Sequence, residues 1–283
     1  MDIFQAIPEF RDQLARWRLN KETIAFVPTM GNLHAGHLSL VEKARTVADH
    51  AVVSIFVNPL QFGEGEDYAV YPRTLETDCK KLTQVQTDVI FTPTVTDIYP
   101  EGMQANTRVE VPRLSHLLCG FYRPGHFIGV ATVVNKLFNI VQPNIALFGE
   151  KDYQQLLVIK KMVADLSMPI EIIGVPTVRE VDGLAMSSRN GYLTTEQRAL
   201  APRLFQVLDQ VRCQIEAGEQ DVIALESQAC TELKNDGFVL DYVVVRNGQT
   251  LVFPTAKDKT LVILAAAYLG KTRLIDNVLC VVR

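Results

Sequence analysis

The sequence predicts an α/β fold in which a doubly wound parallel sheet is followed by a smaller C-terminal α+β domain. Up to about residue 176, short continuous apolar runs alternate with segments whose apolar residues recur at helical spacing. This alternation is typical of a parallel sheet covered by helices on both faces. Beyond it, two helical patterns precede three strand-like segments. We therefore expect a Rossmann-like domain over residues 1–176 and a smaller domain over residues 177–283.

The first predicted strand and helix enclose the most informative motif of the chain. An apolar strand-like run covers 23–27, and a helical pattern covers 37–48. Between them lies the string PTMGNLHAGH, residues 28–37, in which Gly31 and Gly36 allow the backbone to approach a ligand closely. The free N–H groups at the start of a helix, together with its dipole, bind anions. A phosphate site is therefore predicted at this turn.

Two histidines, His34 and His37, stand three residues apart at the start of this helix. Imidazole groups placed there can donate hydrogen bonds to phosphate oxygens as negative charge builds in a transition state. The pattern His-x-Gly-His after a strand resembles the HIGH motif of the nucleotidyltransferase superfamily. Here Ala35 fills the variable position.

The other elements of the first domain follow in strict alternation. Further strands are predicted over 51–57, 88–91, 144–148 and 170–175, and further helices over 74–82, 126–141 and from just after 152 to about 166. Ligands of such sheets sit beyond the carboxyl ends of the strands. The motifs at 28–37, 58–61 and 149–155 each follow a strand, so we expect all three to converge on one cleft.

The second domain is predicted from two helical patterns, over 195–217 and 221–235, and from strands over 241–246, 261–268 and 273–282. The first of these helices carries an apolar stripe that we interpret as core packing. The stripe consists of Leu200, Leu204, Val207, Leu208, Val211 and Ile215.

Composition favours a small-molecule enzyme over a nucleic-acid or membrane protein. The formal net charge is −4, 48% of the residues are hydrophobic, and no basic block is present. No apolar run reaches the length of a membrane span, and residues 1–10 do not resemble a signal peptide. The five cysteines lack paired spacing, which argues against a zinc site or a disulfide framework. We expect a cytoplasmic protein with no metal-binding side chains of its own.

A second motif, Met186-Ser187-Ser188-Arg189-Asn190, lies at the predicted domain junction. The superfamily pairs its HIGH element with a mobile loop that holds a triphosphate. The corresponding loop of the aminoacyl-tRNA synthetases contains lysines, which are absent from this motif. In this chain Arg189 therefore supplies the cation of the loop. A mobile lid at a domain junction suits this role.

Nearly the whole chain resembles the pantothenate synthetases. The strings that carry the resemblance are PTMGNLHAGH (28–37), SIFVNPLQF (54–62), YPRTLETD (71–78), RPGHFIGVATVVNKLFNIVQPNIALFGEKDYQQL (123–156) and SSRNGYL (187–193). The resemblance implies ATP-dependent condensation of pantoate with β-alanine through a pantoyl-adenylate, with release of AMP and pyrophosphate. It also implies a requirement for Mg²⁺, a homodimer and a C-terminal lid domain.

The resemblance also implies the roles of individual residues. His34, His37, Lys151 and Arg189 are the expected catalytic residues. ATP is expected to contact Met30, Gly31, His34, His37, Gly149, Lys151, Asp152, Met186, Ser187, Ser188 and Arg189. Pantoate is expected to contact Met30, Gln61, Val133, Val134 and Gln155, and Gln61 also to contact β-alanine.

Several of these residues have an alternative structural interpretation. Asp152 is also placed to cap a helix, and the valines fit a core equally well. Gln155 could lie on a helix surface, although Gln154 is expected to be the more exposed of the pair. For His126, a catalytic role and helix packing remain equally open. Asn58, Tyr71 and Arg123 are further candidates, at the β-alanine entrance.

Two other functions remain open from the sequence. A nucleotidyltransferase that adenylylates a phosphate monoester should offer its acceptor several Lys or Arg side chains, whereas this chain offers Gln61 and Gln155. A non-catalytic nucleotide-binding protein needs no donors for a transition state, so the paired motifs argue against it.

Overall fold

The computed structural model describes residues 1–282 and contains two β-sheets. The strands of this part of the chain are β1 Asp2–Phe4, β2 Ile24–Thr29, β3 His50–Ile55, β4 Val89–Phe91, β5 Ile145–Gly149, β6 Glu171–Val175, β7 Val239–Asn247, β8 Thr260–Leu269 and β9 Thr272–Val281. The helices are α1 Ile7–Leu19, α2 Ala35–Val47, α3 Leu75–Gln84, α4 Val95–Ile98, α5 Cys119–Tyr122, α6 His126–Val141, α7 Tyr153–Asp165, α8 Thr195–Leu200, α9 Arg203–Glu216 and α10 Val222–Asn235.

The larger sheet confirms the predicted doubly wound architecture. Its strand order is β1-β4-β3-β2-β5-β6, and all of its pairings are parallel. Apolar side chains of α1, α6 and α7 cover one face, and those of α2 and α3 cover the other. Strand β2 pairs with β3 on one side and β5 on the other, so the chain reverses its direction of winding there. Ligand clefts form at this kind of switch point.

The smaller sheet is antiparallel, in the order β7-β8-β9, and its central strand β8 is buried on both faces. Ile263 and Ala265 of β8 pack with α9 and α10, whereas Val262 and Leu264 join the core of the larger sheet. This double coverage explains why β8 is a continuous apolar run and not an alternating one. The domain boundary at 176 and 177, directly after β6, stays a prediction.

The structure contains elements that the sequence did not predict, among them the short helices α4 and α5. No element was expected before residue 23, yet β1 and α1 are present, and α1 buries Phe10 and Leu14. The single helix predicted over 195–217 is wrong, because the chain forms α8 and α9 with a break at Pro202. Proline has no N–H to donate to the preceding turn and its ring crowds the carbonyl there. Leu200, assigned to the apolar stripe, is consequently 42% exposed.

A buried carboxylate shapes the turn between β2 and α2. Gly31 and Asn32 both have positive φ, 83° and 50°. The N–H groups of Asn32 and Leu33 donate to Asp78 of α3 at 2.9 and 2.8 Å. The Thr74 hydroxyl donates to the same carboxylate at 3.0 Å, and Asp78 is fully buried. Hydrogen bonds to an ionised group are stronger than neutral ones, so this contact fixes the turn.

We expect Asp78→Ala to lower the free energy of unfolding by about 3 kcal/mol, since two main-chain N–H groups lose a charged acceptor. Thr74→Val is the matched control, because it removes only the hydroxyl donor and should cost about 1 kcal/mol. Urea unfolding of the three proteins measures both values. Equal losses in the two variants would contradict the anchoring role of Asp78.

Candidate active site

A cleft of about 230 Å³ opens at the switch point between β2 and β5. The segments that follow β2, β3 and β5 all reach it, as the sequence predicted. The segment 176–178, which follows β6, also lines the cleft. That segment was not predicted from the sequence, although the same rule about the carboxyl ends of parallel strands applies to it.

The cleft brings together nearly all of the residues predicted to act. The predicted residues that line it are Met30, His34, His37, Gln61, Val133, Val134, Gly149, Lys151, Asp152, Gln155, Met186, Ser187, Ser188 and Arg189. Gly31 is the exception. It is buried, and a Cβ there would lie 3.1 Å from Ile55 and 3.3 Å from Asp78, so a side chain is strained and crowded at this position. Its contact with ATP stays a prediction.

The two histidines form a reciprocal cap at the start of α2. The Gly36 N–H donates to His34 Nδ1 at 3.2 Å, and the His34 N–H donates to His37 Nδ1 at 3.3 Å. Because each Nδ1 accepts a hydrogen bond, the proton of each neutral ring is on Nε2. A Cβ on Gly36 would lie 3.0 Å from the His34 ring, so glycine permits this close packing.

Both histidines are neutral in the free protein. Burial lowers the pKa of His34 to about 3, and the nearby charges of His37 and Lys151 contribute. Burial, with the charges of Lys151 and Lys81, lowers the pKa of His37 to about 4. The cleft therefore offers two neutral N–H donors beside a lysine, at the positive end of a helix.

Arg189 lies in a short 3₁₀ helix, Ser188–Tyr192, at the mouth of the cleft. Its guanidinium makes two hydrogen bonds to Asp67, at 2.8 and 3.0 Å. The Ser188 hydroxyl donates to the Asn32 carbonyl at 3.0 Å, which ties this loop to the β2–α2 turn. Arg189 thus lines the cleft as expected, with a carboxylate partner that was not identified from the sequence.

Gln61 presents amide hydrogens to the cleft. Its Oε1 accepts a hydrogen bond from buried Asn58 at 3.0 Å, while its Nε2 lies 3.1 Å from the Met30 sulfur. With its oxygen occupied and only a weak acceptor beside its nitrogen, the side chain is available as a donor. Gly129 of α6 makes this arrangement possible, since a Cβ there would lie 2.3 Å from the Leu60 carbonyl oxygen.

The two neighbouring glutamines of α7 have different environments. Gln154, expected to be the exposed one, is only 4% exposed and spans the loop before α5. It donates to the Leu114 and Leu117 carbonyls and accepts from the Cys119 N–H. Burying an amide requires such partners. Gln155 lines the cleft, and its contact with pantoate stays a prediction.

His126 lines the cleft and contacts the main chain of Gln61. Its Nδ1 donates to the Gln61 carbonyl at 2.8 Å, and its Nε2 accepts from Arg123 at 3.0 Å. Burial and the charge of Arg123 lower the pKa of His126 to about 3. Arg123 in turn binds both carboxylate oxygens of Glu66 at 2.6 Å. The structure therefore gives His126 a structural contact at the edge of the cleft, and Arg123, Asn58 and Tyr71 all line the cleft.

Within residues 1–282, no three His, Cys, Asp or Glu side chains cluster in a way that could hold a metal ion. None of the helices in the same residues combines the length and the apolar character needed to span a membrane.

Comparison with known proteins identifies the family. The family model described as pantoate–β-alanine ligase matches residues 2–279. The pantothenate synthetase of Shewanella pealeana is 58% identical over 275 residues, which cover 96% of each chain. The crystal structure of pantothenate synthetase from Thermus thermophilus matches with a TM-score of 0.92 at 46% identity, covering 98% of this chain and 99% of that one.

A further structure, the pantoate–β-alanine ligase of Francisella tularensis in complex with βγ-ATP and β-alanine, matches with a TM-score of 0.83 at 37% identity. The match covers 99% of this chain and 97% of that one. These matches extend over nearly the whole length of both partners, and the fold is the same. The chain therefore belongs to the pantoate–β-alanine ligase family.

Proposed function

We propose that this enzyme joins pantoate to β-alanine in two steps at the cleft. A pantoate carboxylate oxygen attacks the α-phosphorus of ATP and displaces pyrophosphate, which gives the pantoyl-adenylate. The neutral amine of β-alanine then attacks the acyl carbon, displaces AMP and loses a proton, which gives pantothenate. The observation that carries the proposal is the single cleft that holds His34, His37 and Lys151 beside Gln61 and Gln155.

The polarity of the cleft supports an anionic nucleophile. Gln61 offers a neutral donor, which orients a carboxylate without the loss of basicity that a salt bridge would cause. The Nε2–H groups of His34 and His37 suit the α-phosphate, where charge develops in the transition state. Lys151 acts on the phosphates as a point charge. Met186, Ser187, Ser188 and Arg189 close over the β- and γ-phosphates, and Asp152 binds the ribose hydroxyls.

The pantoate side of the cleft argues against the two alternatives. Val133 and Val134 line it with the two glutamines, and all four of these side chains are neutral. A site for a phosphate monoester requires cations available for that phosphate. A protein that only binds nucleotides does not need a pocket for a carboxylic acid substrate beside the α-phosphate site.

Mg²⁺, a homodimer and a cytoplasmic location complete the proposal. Since the described residues show no ready-made cluster of metal ligands, the phosphates of ATP and water would supply the Mg²⁺ ligands. The ion would neutralise phosphate charge. The cysteines of the described residues are free thiols, which suits a reducing compartment. The homodimer rests on the family alone.

The first test concerns the half-reaction. With ATP, Mg²⁺ and pantoate but without β-alanine, the enzyme should exchange labelled pyrophosphate into ATP, because adenylate formation is reversible and precedes amide formation. Exchange that requires β-alanine would exclude this order of steps. Exchange that proceeds without pantoate would identify a different acceptor.

The second test separates the two halves of the cleft. Gln155→Ala should weaken pantoate binding about tenfold, the effect of one hydrogen bond to a charged group, and leave ATP binding unchanged. Lys151→Ala should instead weaken ATP binding. Isothermal titration calorimetry measures both affinities, and Lys160→Ala, an exposed lysine of α7, is the matched control. An equal loss of affinity for both ligands in both variants would contradict the proposed division of the cleft into a pantoate half and an ATP half.

The third test uses the lowered pKa of His37. In the unfolded chain its pKa returns to about 6.5. Between about pH 6.5 and about pH 4, the unfolded state therefore binds more protons than the folded state. Stability must therefore fall as the pH is lowered, and His37 alone should account for a loss of about 1.5 kcal/mol from about pH 6.5 to about pH 5. His37→Gln keeps a side-chain acceptor for the cap and should lack this contribution. If the unfolding free energies of the wild-type protein and of His37→Gln changed in parallel with pH, the neutral, buried state of His37 would be contradicted.

A further inference from the structure

Strand β9 of the smaller sheet carries two adjacent buried polar residues. Asp276 is 3% exposed and Asn277 is 7% exposed. Burying an amide or a carboxylate is costly unless its polar atoms are hydrogen-bonded. Both side chains find partners in elements outside the smaller sheet, and each of those elements adjoins residues that line the cleft.

Asn277 reaches the turn that carries Lys151. Its Nδ2 donates to the main-chain carbonyls of Glu150 and Lys151, each at 2.9 Å. This turn is the 3₁₀ helix Glu150–Asp152 between β5 and α7. One amide group thus uses both of its hydrogens to hold the backbone from which the Lys151 side chain extends.

Asp276 holds residues 179–185, the arm that leads to the second motif. Its carboxylate binds Arg179 through two hydrogen bonds of 2.6 and 3.0 Å. Arg179 also donates to the Gly183 carbonyl at 3.1 Å, and its guanidinium lies 3.8 Å from the centre of the Phe205 ring. A bridge between Arg179 and Ala185 closes this arm as a hairpin directly before residues 186–189. Neighbouring side chains of one strand therefore hold two segments that lead into the cleft lining.

We propose that Asn277 is a positioning residue for Lys151, through which the smaller sheet sets the geometry of the ATP-phosphate site. The proposal rests on the proposed function, because it takes Lys151 to bind ATP phosphates. Asn277 does not line the main cleft, so its effect must pass through the turn. Asp276 and Arg179 keep the second-motif arm in register with that turn, since Asp276 adjoins Asn277 on the strand.

The test compares Asn277→Leu with Tyr153→Phe. Leucine is similar in size to asparagine but cannot donate, so the turn loses both hydrogen bonds. Tyr153→Phe removes another hydrogen bond between the same two parts of the chain, from the Tyr153 hydroxyl to the Gly248 carbonyl at 2.7 Å. In pantoate-dependent pyrophosphate exchange, Asn277→Leu should raise the KM for ATP about tenfold, the effect of one to two neutral hydrogen bonds. The KM for pantoate should not change, and Tyr153→Phe should change neither value.

A double-mutant cycle with Lys151→Ala supplies the readout that a purely structural role would not affect. The affinity for a non-hydrolysable βγ-ATP analogue, measured by calorimetry, gives the cycle independently of turnover. If Asn277 acts through Lys151, Asn277→Leu should weaken binding in the wild-type background and have no further effect beside Lys151→Ala. Additive losses, or a pantoate KM that rises together with the ATP KM, would overturn the proposal.

Two controls keep these outcomes separable. Thermal unfolding of each variant checks the fold, and Asn277→Ser, which keeps a polar group too short to span both carbonyls, replaces the leucine variant if that variant does not fold. Should the wild-type enzyme show no pantoate-dependent exchange, the proposed function fails. The analogue-binding cycle would still report whether Asn277 and Lys151 are coupled.

Discussion

The buried carboxylate of Asp78 holds the main chain of the turn on which the cleft is built. It accepts the N–H groups of Asn32 and Leu33, at a turn where Gly31 and Asn32 have positive φ. Such a backbone is stable only when its surroundings compensate for its strain. The turn places His34 as the cap of α2, and the cap fixes both imidazole rings. The contact of Asp78 in α3 with the β2–α2 turn therefore helps to set the direction of two proposed catalytic donors.

The topology of the larger sheet supplies the rest of the cleft. Because β2 lies between β3 and β5, the segments after all three strands meet at one edge of the sheet. The smaller sheet then holds two parts of the cleft in place, the turn that carries Lys151 through Asn277 and the segment before residues 186–189 through Asp276. Pre-organised donors in a partly buried cleft are effective because they need no rearrangement when charge develops. The guanidinium groups of Arg123 and Arg189 are accordingly held in place, each by a carboxylate partner.

The sequence was sufficient for the features that local pattern determines. The strand–turn–helix context of His34 and His37 and the run of apolar strands indicated the fold class and most of the cleft lining. Asp78 belongs to one of the strings that carry the family resemblance, but the sequence does not predict its role, because its partners lie 46 and 45 residues away. Periodicity could not show which of Gln154 and Gln155 is the more exposed, since burial of the Gln154 amide depends on carbonyls of a distant loop. Pro202 itself indicates the break between α8 and α9. The apolar stripe continues across the proline, however, and it favours a single helix, which is wrong.

The central claim is that His34 and His37 enter the reaction as neutral rings with their protons on Nε2. Imidazole ¹⁵N chemical shifts, recorded by NMR on the wild-type enzyme and on Asp78→Ala at about pH 7, test it directly. We expect both rings of the wild-type protein to be neutral Nε2–H tautomers, and we expect this uniform state to be lost when Asp78 no longer holds the turn. Charged rings or Nδ1–H tautomers in the wild-type protein would contradict this claim. Identical spectra in the two proteins would contradict the role of Asp78 in orienting the rings.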